Sequence, residues 1–316
     1  MKVLNQSSGA NWTLYHGDTV DVARGLPDRS VDFSVFSPPF ASLYTYSNSP
    51  RDLGNVKNDG EFFAHYEFLI KETARVMRPG RIIAIHCMDM PTSKERDGHI
   101  GLRDFPGEII RAYERHGFIY HSRVAIWKDP VTAMQRTKAL GLLHKTIRKD
   151  SSMSRQGIAD TLIVLRTPGV NDAPVSHTNE SFPVDRWQRY ASPVWATLGD
   201  VDDEGFLTCL GNTVPGDDTS TINPSETLQY RSARENEDER HICPLQLGVI
   251  RRSIRLWTNP GDVVWSPFAG IGSEGYVAIQ EGRKFVGAEL KTSYYQQAAK
   301  NLANATGRQS DLFGAA

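Results

Sequence analysis

Three cysteines, Cys87, Cys209 and Cys243, form no Cys-x-x-Cys pair and leave an odd count. That argues against a disulfide framework or a cysteine-rich zinc site. His241-Ile242-Cys243 and His86-Cys87 are spaced too closely for an ordinary four-ligand centre, so no metal is expected. No run of about 18 apolar residues occurs, which excludes a helix that spans a membrane. The opening MKVLNQSSGANW lacks the apolar stretch of a secretory signal, and a cytoplasmic protein is the expectation. An excess of one charge is missing too: 36 basic and 37 acidic residues leave a net −1. Such a balance does not coat nucleic acid indiscriminately. No internal repeat is present.

What is there fits a globular α/β chain. Its 316 residues are 39% hydrophobic, enough for a sizeable core, and the 23% charged fraction is not that of a disordered chain. Charge is unevenly spread. Lys128 to Arg166 holds eight Lys/Arg against three Asp, whereas Asp200 to Glu239 holds eleven acids against two Arg. The basic stretch is either a solvated face or a contact for phosphates.

The first part alternates strand and helix patterns. Val31 to Phe36 reads as a strand ending at a double proline, and Glu61 to Met77 carries an apolar stripe at helical spacing. Arg78-Pro79-Gly80 predicts a stop, followed by a strand from Arg81 to His86. A helix over Glu108 to His116 and a strand over Phe118 to Trp127 complete a pattern of parallel βαβ units. Beyond Lys128 the pattern breaks up. One strand, Thr161 to Arg166, interrupts a long proline-bearing irregular stretch, read as a functional insertion. Order returns at Pro244 with a helix to Trp257, a strand Asp262 to Trp265 and a helix Ser273 to Glu281. A strand Lys284 to Ala288 and a helix Ser293 to Leu302 follow, and a loose tail is expected from Gly307.

Within that last part, Val263 to Ser273 reads as strand, glycine turn and helix start. Gly270 and Gly272 let the backbone approach a ligand and expose the N–H groups of the following helix. Glu289, seventeen positions past Gly272, ends the next strand and can accept both hydroxyls of a ribose. This order predicts a nucleoside-cofactor site. Gly270, Gly272 and Gly275 also satisfy G-x-G-x-x-G, so a nicotinamide cofactor stays open.

Ser37-Pro38-Pro39-Phe40 follows a buried-looking strand, where ligands of open α/β sheets bind. The prolines lack N–H groups and fix φ, which holds the Pro38 carbonyl outward as an acceptor. Ser37 Oγ is a second acceptor and Phe40 a flat apolar face. Two acceptors and one ring suit an exocyclic amine on an aromatic base. Such an amine is a poor nucleophile because its lone pair is delocalised, and accepting both N–H bonds favours the pyramidal form that frees it. The competing reading is a proline-capped strand end with a core phenylalanine.

Taken together these segments resemble the permuted β-class of amino DNA methyltransferases, which methylate cytosine N4 or adenine N6. The resemblance covers Trp12 to Trp127 and His241 to Leu302. It rests on His16-Gly17-Asp18, Val31-Asp32 through Ser37-Pro38-Pro39-Phe40, and Ala74 to Gly80. The later motifs are His241-Ile242-Cys243-Pro244-Leu245-Gln246, Asn259 to Val264, Phe268-Ala269-Gly270-Ile271-Gly272 and Gly287-Ala288-Glu289-Leu290. The double-proline motif precedes the glycine turn, with a recognition insertion between them, which is that class's permutation.

The resemblance implies a doubly wound, Rossmann-like, mostly parallel sheet, with S-adenosylmethionine as cofactor and double-stranded DNA as partner. It divides the chain into a catalytic half, 1–127, an inserted target-recognition region, 128–240, a cofactor half, 241–306, and a tail, 307–316. Phe268, Gly270 and Gly272 would surround the methionine part of the cofactor, Glu289 its ribose and Asp18 its adenine. Pro244 precedes a helix closing over the methionine end, and Ser266 stands where an aspartate usually begins Asp-Pro-Phe. Serine ahead of Pro-Pro is commoner in cytosine-N4 enzymes, which favours that base over adenine N6. The base would have to leave the duplex to reach Ser37 and Phe40. Lys128, Arg136, Lys138, Lys145, Arg148, Lys149 and Arg155 are the expected phosphate contacts. Gln309-Ser310-Asp311-Leu312-Phe313 resembles the pentapeptide that docks bacterial proteins on the sliding clamp, through Gln309, Leu312 and Phe313. A catalytically silent DNA-binding protein of the same fold and a nicotinamide oxidoreductase are the rival readings.

Overall fold

The computed structural model describes residues 2–39, 59–128, 130–137, 140–195, 222, 226–229 and 245–313, with backbone alone at 59, 96, 132, 136, 137, 140 and 308–313. Phe40, Lys138 and Pro244 lie outside the described residues.

A polar hairpin opens the chain, β1 (Asn5–Gly9) pairing antiparallel with β2 (Trp12–His16). Helix α1 (Thr19–Arg24) starts at Asp18, whose carboxylate accepts the N–H groups of Val20 at 2.9 Å and Asp21 at 3.1 Å. Strand β3 (Val31–Phe36) is buried at every position, as a central strand covered on both faces must be. Helix α2 (Asp59–Val76) leads directly into β4 (Met77–Met88). The helix ends at Val76, just ahead of Arg78-Pro79-Gly80 as predicted, but the following strand starts at Met77 rather than Arg81. Gly80, at φ +71°, lies so close to Asn171 that a Cβ there would meet its backbone nitrogen at 2.8 Å.

Next come β5 (Met90–Pro91), α3 (Lys94–Asp97), β6 (Leu102–Arg103), α4 (Phe105–Glu114) and β7 (Ile119–Ile126). Helices α5 (Pro130–Thr137) and α6 (His144–Lys149) precede β8 (Asp160–Arg166), which is followed by α7 (Val184–Tyr190) and β9 (Val194–Trp195). The last elements are α8 (Leu247–Trp257), β10 (Val263–Ser266), α9 (Ser273–Gln280), β11 (Lys284–Glu289) and α10 (Thr292–Phe313). Helix α10 thus runs on through positions where a loose tail is predicted.

Nine strands form one sheet in the order β1-β2-β11-β10-β3-β4-β8-β7-β9. Strands β2, β11, β10, β3 and β4 are parallel, while β8 runs antiparallel to both β4 and β7. One face packs on α1, α2 and α4 through residues such as Val22, Leu69 and Ile109. The other packs on α8, α9 and α10 through Ile250, Val277 and Leu302. This is the doubly wound, Rossmann-like, mostly parallel sheet that the family resemblance implies.

The span 128–240, read as an insertion, contributes two strands to the sheet. Strand β8 lies inside that span, yet it pairs with β4 from Ile82↔Arg166 to Met88↔Asp160 in the middle of the sheet. Its buried Leu162–Leu165 run needs cover on both faces, and the sheet supplies it. The span returns to the sheet again at β9, where buried Trp195 lies 5.2 Å beneath the Arg252 guanidinium of α8. At the sheet's other end, Arg81 donates to the carbonyls of Asp32 (2.8 Å) and Ala173 (2.9 Å) and pairs with Asp262, fastening β3, β4 and β10 together.

Candidate active site

Parallel strands end together, so the carboxyl ends of β2, β11, β10, β3 and β4 line one edge of the sheet. Antiparallel β8 contributes its first residue there. Alternation decides the face. Leu14, Val35, Ala84, Leu162 and Val264 all point into the core beneath α8, α9 and α10. Two positions nearer the edge, His16, Ser37, His86, Asp160 and Ser266 share that face, as does Glu289, four beyond Phe285.

Between β10 and α9, Gly270 and Gly272 take φ values of +52° and +86°. A Cβ on Gly270 would meet nothing within 4 Å, one on Gly272 would meet Ala298 at 3.2 Å, and one on Gly275 would lie 2.5 Å from the Phe285 ring. The first glycine leaves its backbone open to a ligand, and the other two permit close packing of the helix. Glu289 Oε2 accepts the N–H of Gly270 and Oε1 that of Lys291, each at 2.8 Å. A carboxylate so held keeps lone pairs for hydroxyl donors. The N–H of Gly17 donates to the Glu289 carbonyl at 3.0 Å, which sets Asp18 beside it. Asp18 is therefore both a helix cap and a neighbour of Glu289.

Ser266 Oγ and Gln246 Oε1 are buried without a hydrogen-bond partner among the described residues. A group from outside the chain would satisfy them. Burial, reinforced by the charge of Glu289, pushes the Glu274 carboxyl up to about 8. The Phe268 ring lies 5.8 Å from Phe36 and is stacked 6.4 Å from Tyr66, which brings the glycine turn against the end of β3. Ser34 Oγ, donating to the Trp265 carbonyl at 2.9 Å, ties the same two strands. An open glycine backbone, a carboxylate with lone pairs to spare and an unsatisfied hydroxyl fit S-adenosylmethionine.

Past β3, Pro38 is buried and Pro39 half-buried. Ser37 Oγ lies 3.0 Å from His86 Nδ1. His86 Nε2 stands 3.1 Å from Asp160 Oδ2, off the ring's N–H axis, and Lys128 Nζ donates to Asp160 Oδ1 at 2.5 Å. Burial pushes the Asp160 carboxyl up, but His86 and Lys128 outweigh it and hold it below its ordinary value. Neither His86 nor Asp160 is singled out by the sequence. The signal present is alternation: His86 lies two beyond Ala84 and Ser37 two beyond Val35, each on one face near a strand's carboxyl end.

The basic stretch divides. In this structure Lys128, expected at a phosphate, pairs instead with Asp160, whose carboxylate has 3% side-chain exposure and needs a cation. Lys145, Arg148 and Lys149 are exposed on α6, with no ion pair to a described acid. Arg155 is half-buried against Gly141 and donates to the Gln156 carbonyl at 3.0 Å, and burial lowers its pKa. Arg136 lies on α5 with only its backbone described, as do Gln309, Leu312 and Phe313 at the end of α10. Pro244 lies outside the described residues, but buried Leu245 and Gln246 enter α8 on the cofactor face.

The DNA methylase profile of N6-adenine and N4-cytosine methyltransferases matches residues 31–300. The chain belongs to that family. Type II methyltransferase M.BglI of Bacillus subtilis is 38% identical over 324 residues, covering 92% of this chain and 85% of that one. Type II methyltransferase M.BglII, also of Bacillus subtilis, is 26% identical over 283 residues, spanning 89% of this chain and 66% of its own length. The fold is similar to that of the DNA modification methylase TTHA0409 from Thermus thermophilus, solved with S-adenosyl-L-methionine. The TM-score is 0.62 at 20% identity, covering 94% of this chain and 96% of that one. The protein is thus an S-adenosylmethionine-dependent DNA methyltransferase of cytosine N4 or adenine N6, and the nicotinamide reading falls. Among the described residues no helix is long and apolar enough to cross a membrane.

Proposed function

We propose that the protein methylates N4 of cytosine in duplex DNA, taking the base out of the helix to do so. The observation that carries this reading is Ser37, a neutral acceptor immediately ahead of Pro38-Pro39 at the end of β3, beside the glycine turn of β10. A serine at that place is the family resemblance that favours cytosine over adenine. When bound, S-adenosylmethionine supplies a methyl group on a sulfonium sulfur, which keeps both electrons as the bond to carbon breaks.

The chain's own residues hold and orient the amine. Ser37 Oγ and the Pro38 carbonyl accept its two N–H groups, which turns its lone pair toward the methyl donor. Phe40 stacks on the ring, and holding the amine in line with the methyl group supplies much of the rate by orientation. Glu289 holds the ribose of the cofactor, and Ser266 and Gln246 meet its polar groups. Lys145, Arg148 and Lys149 grip the phosphate backbone. Gln309, Leu312 and Phe313 form a contact for the bacterial sliding clamp, which titration of a labelled 305–316 peptide with clamp measures directly.

Phe40→Ala tests the flipped-base reading. Stacking is worth about 1–3 kcal/mol per base, so single-turnover methylation should fall about 5- to 150-fold while the cofactor dissociation constant holds. An unchanged rate removes Phe40 from the base pocket.

A further inference from the structure

We infer that His86 is a positioning residue which, held by Asp160 and Lys128, keeps the Ser37 hydroxyl polarised as an acceptor toward the base amine and carries away the proton that methylation releases. The inference rests on the proposed amine methylation at Ser37.

Three strands bring these groups together by parity. Ser37 lies two beyond Val35, His86 two beyond Ala84, and Asp160 two before Leu162, all on one face. The contacts run in series: Ser37 Oγ to His86 Nδ1 at 3.0 Å, His86 Nε2 to Asp160 Oδ2 at 3.1 Å, and Asp160 Oδ1 to Lys128 Nζ at 2.5 Å. Asp160 has 3% side-chain exposure and His86 11%, so water does not compete for the middle of the series.

The tautomer follows from the partners. A carboxylate facing Nε2 calls for the proton on that nitrogen, and Lys128 on the other oxygen helps keep Asp160 ionised. Nδ1 is then a bare acceptor. Ser37 must donate to it, so the serine lone pairs face outward, toward an amine. With a doubly protonated ring the polarity inverts, because Nδ1–H donates to Ser37 Oγ and the serine proton turns outward as a donor that the amine cannot use.

The proton balance is simple. As the amine nitrogen forms its bond to the methyl carbon it must shed one proton. Ser37 Oγ takes that proton while its own moves to His86 Nδ1, leaving serine neutral and an imidazolium against Asp160. The imidazolium later loses the proton to solvent. No other reagent is needed.

Among the described residues the charged neighbourhood of His86 is limited. Its own strand carries Cys87 on the opposite face, with Asp89 just beyond. Strand β8 presents Asp160, the end of β7 leads to Lys128, and α8 on the same face brings Arg252, whose guanidinium lies over the Tyr190 and Trp195 rings.

Single-turnover methylation by the full-length protein, measured from pH 5.5 to 9 on duplex DNA that the wild type methylates, tests the inference. The wild type should lose rate on the acid side of that range, because a doubly protonated His86 ring turns the Ser37 proton toward the amine. His86→Gln should be slower by about 100-fold, the low end for proton transfer through a positioned side chain, and should lose that acid limb. Its cofactor dissociation constant should stay within about twofold, since the side chain acts only through Ser37. Ser37→Ala should lose the same limb, and Ser37→Ala/His86→Gln should be no slower than Ser37→Ala alone. Should His86→Gln not fold, the Ser37→Ala profile decides by itself. A retained acid limb in either single variant, or a double variant slower by the full His86 factor, overturns the inference. Methyl transfer with such a profile leaves amine methylation standing; no transfer to any DNA by the wild type would sink amine methylation itself.

Discussion

The N–H of Gly270 donates to Glu289 Oε2 at 2.8 Å, so the glycine turn after β10 and the acid at the end of β11 are tied together by the protein alone. Two adjacent parallel strands, β10 and β11, impose that distance. The Glu289 carboxylate, the proposed ribose acceptor, is held in place by the backbone alone.

Glu289→Ala should therefore weaken S-adenosylmethionine binding by about 1.5–3 kcal/mol, the range for a hydrogen bond to a charged group. Glu289→Gln should fall between, because it keeps one carbonyl oxygen and loses one acceptor. Calorimetric titration of the three proteins checks the order. Equal dissociation constants would take Glu289 out of the cofactor site.

Reversing the charges of Lys145, Arg148 and Lys149 together should weaken DNA binding and flatten its salt dependence. The slope of log K against log salt should drop by about 0.9 for each phosphate that is no longer neutralised. Lys128→Met should leave that slope alone, because its ammonium is committed to Asp160. A slope that changes for Lys128→Met and not for the triple variant reverses the assignment.

Glu274 makes stability depend on pH. Its folded carboxyl is pushed up to about 8 from an ordinary 4.5, chiefly by burial. Between those values the folded protein holds a proton that the unfolded chain releases, so stability falls as pH rises through the window and levels off above it. Glu274→Gln should melt like the wild type near pH 4 and be more stable at pH 9, by a few kcal/mol at about 1.4 per pKa unit. Parallel melting curves across the window would show that Glu274 does not titrate there.

Strands β3, β10 and β11 are legible in the sequence because each is a short apolar run bounded by turn residues, and the glycine turn announces itself by spacing. Strand β1 is not, since Asn-Gln-Ser-Ser-Gly has no apolar face and forms only as the edge partner of β2. Thr161 to Arg166 reads as a strand, but nothing local says that it slots between β4 and β7. That placement is what assembles Ser37, His86 and Asp160. For the same reason a count of charges assigns Lys128 to DNA. Its acid is 32 positions away in the chain and reaches it only through the pairing of β7 with β8.

The most direct test is the chemistry of the product. Genomic DNA from cells expressing the protein is digested to nucleosides and resolved by mass spectrometry, beside DNA from cells expressing Ser37→Ala. N4-methyldeoxycytidine in the first and far less in the second is the expected result. N6-methyldeoxyadenosine alone would contradict the choice of base, and neither nucleoside from an expressed, folded protein would contradict amine methylation at Ser37.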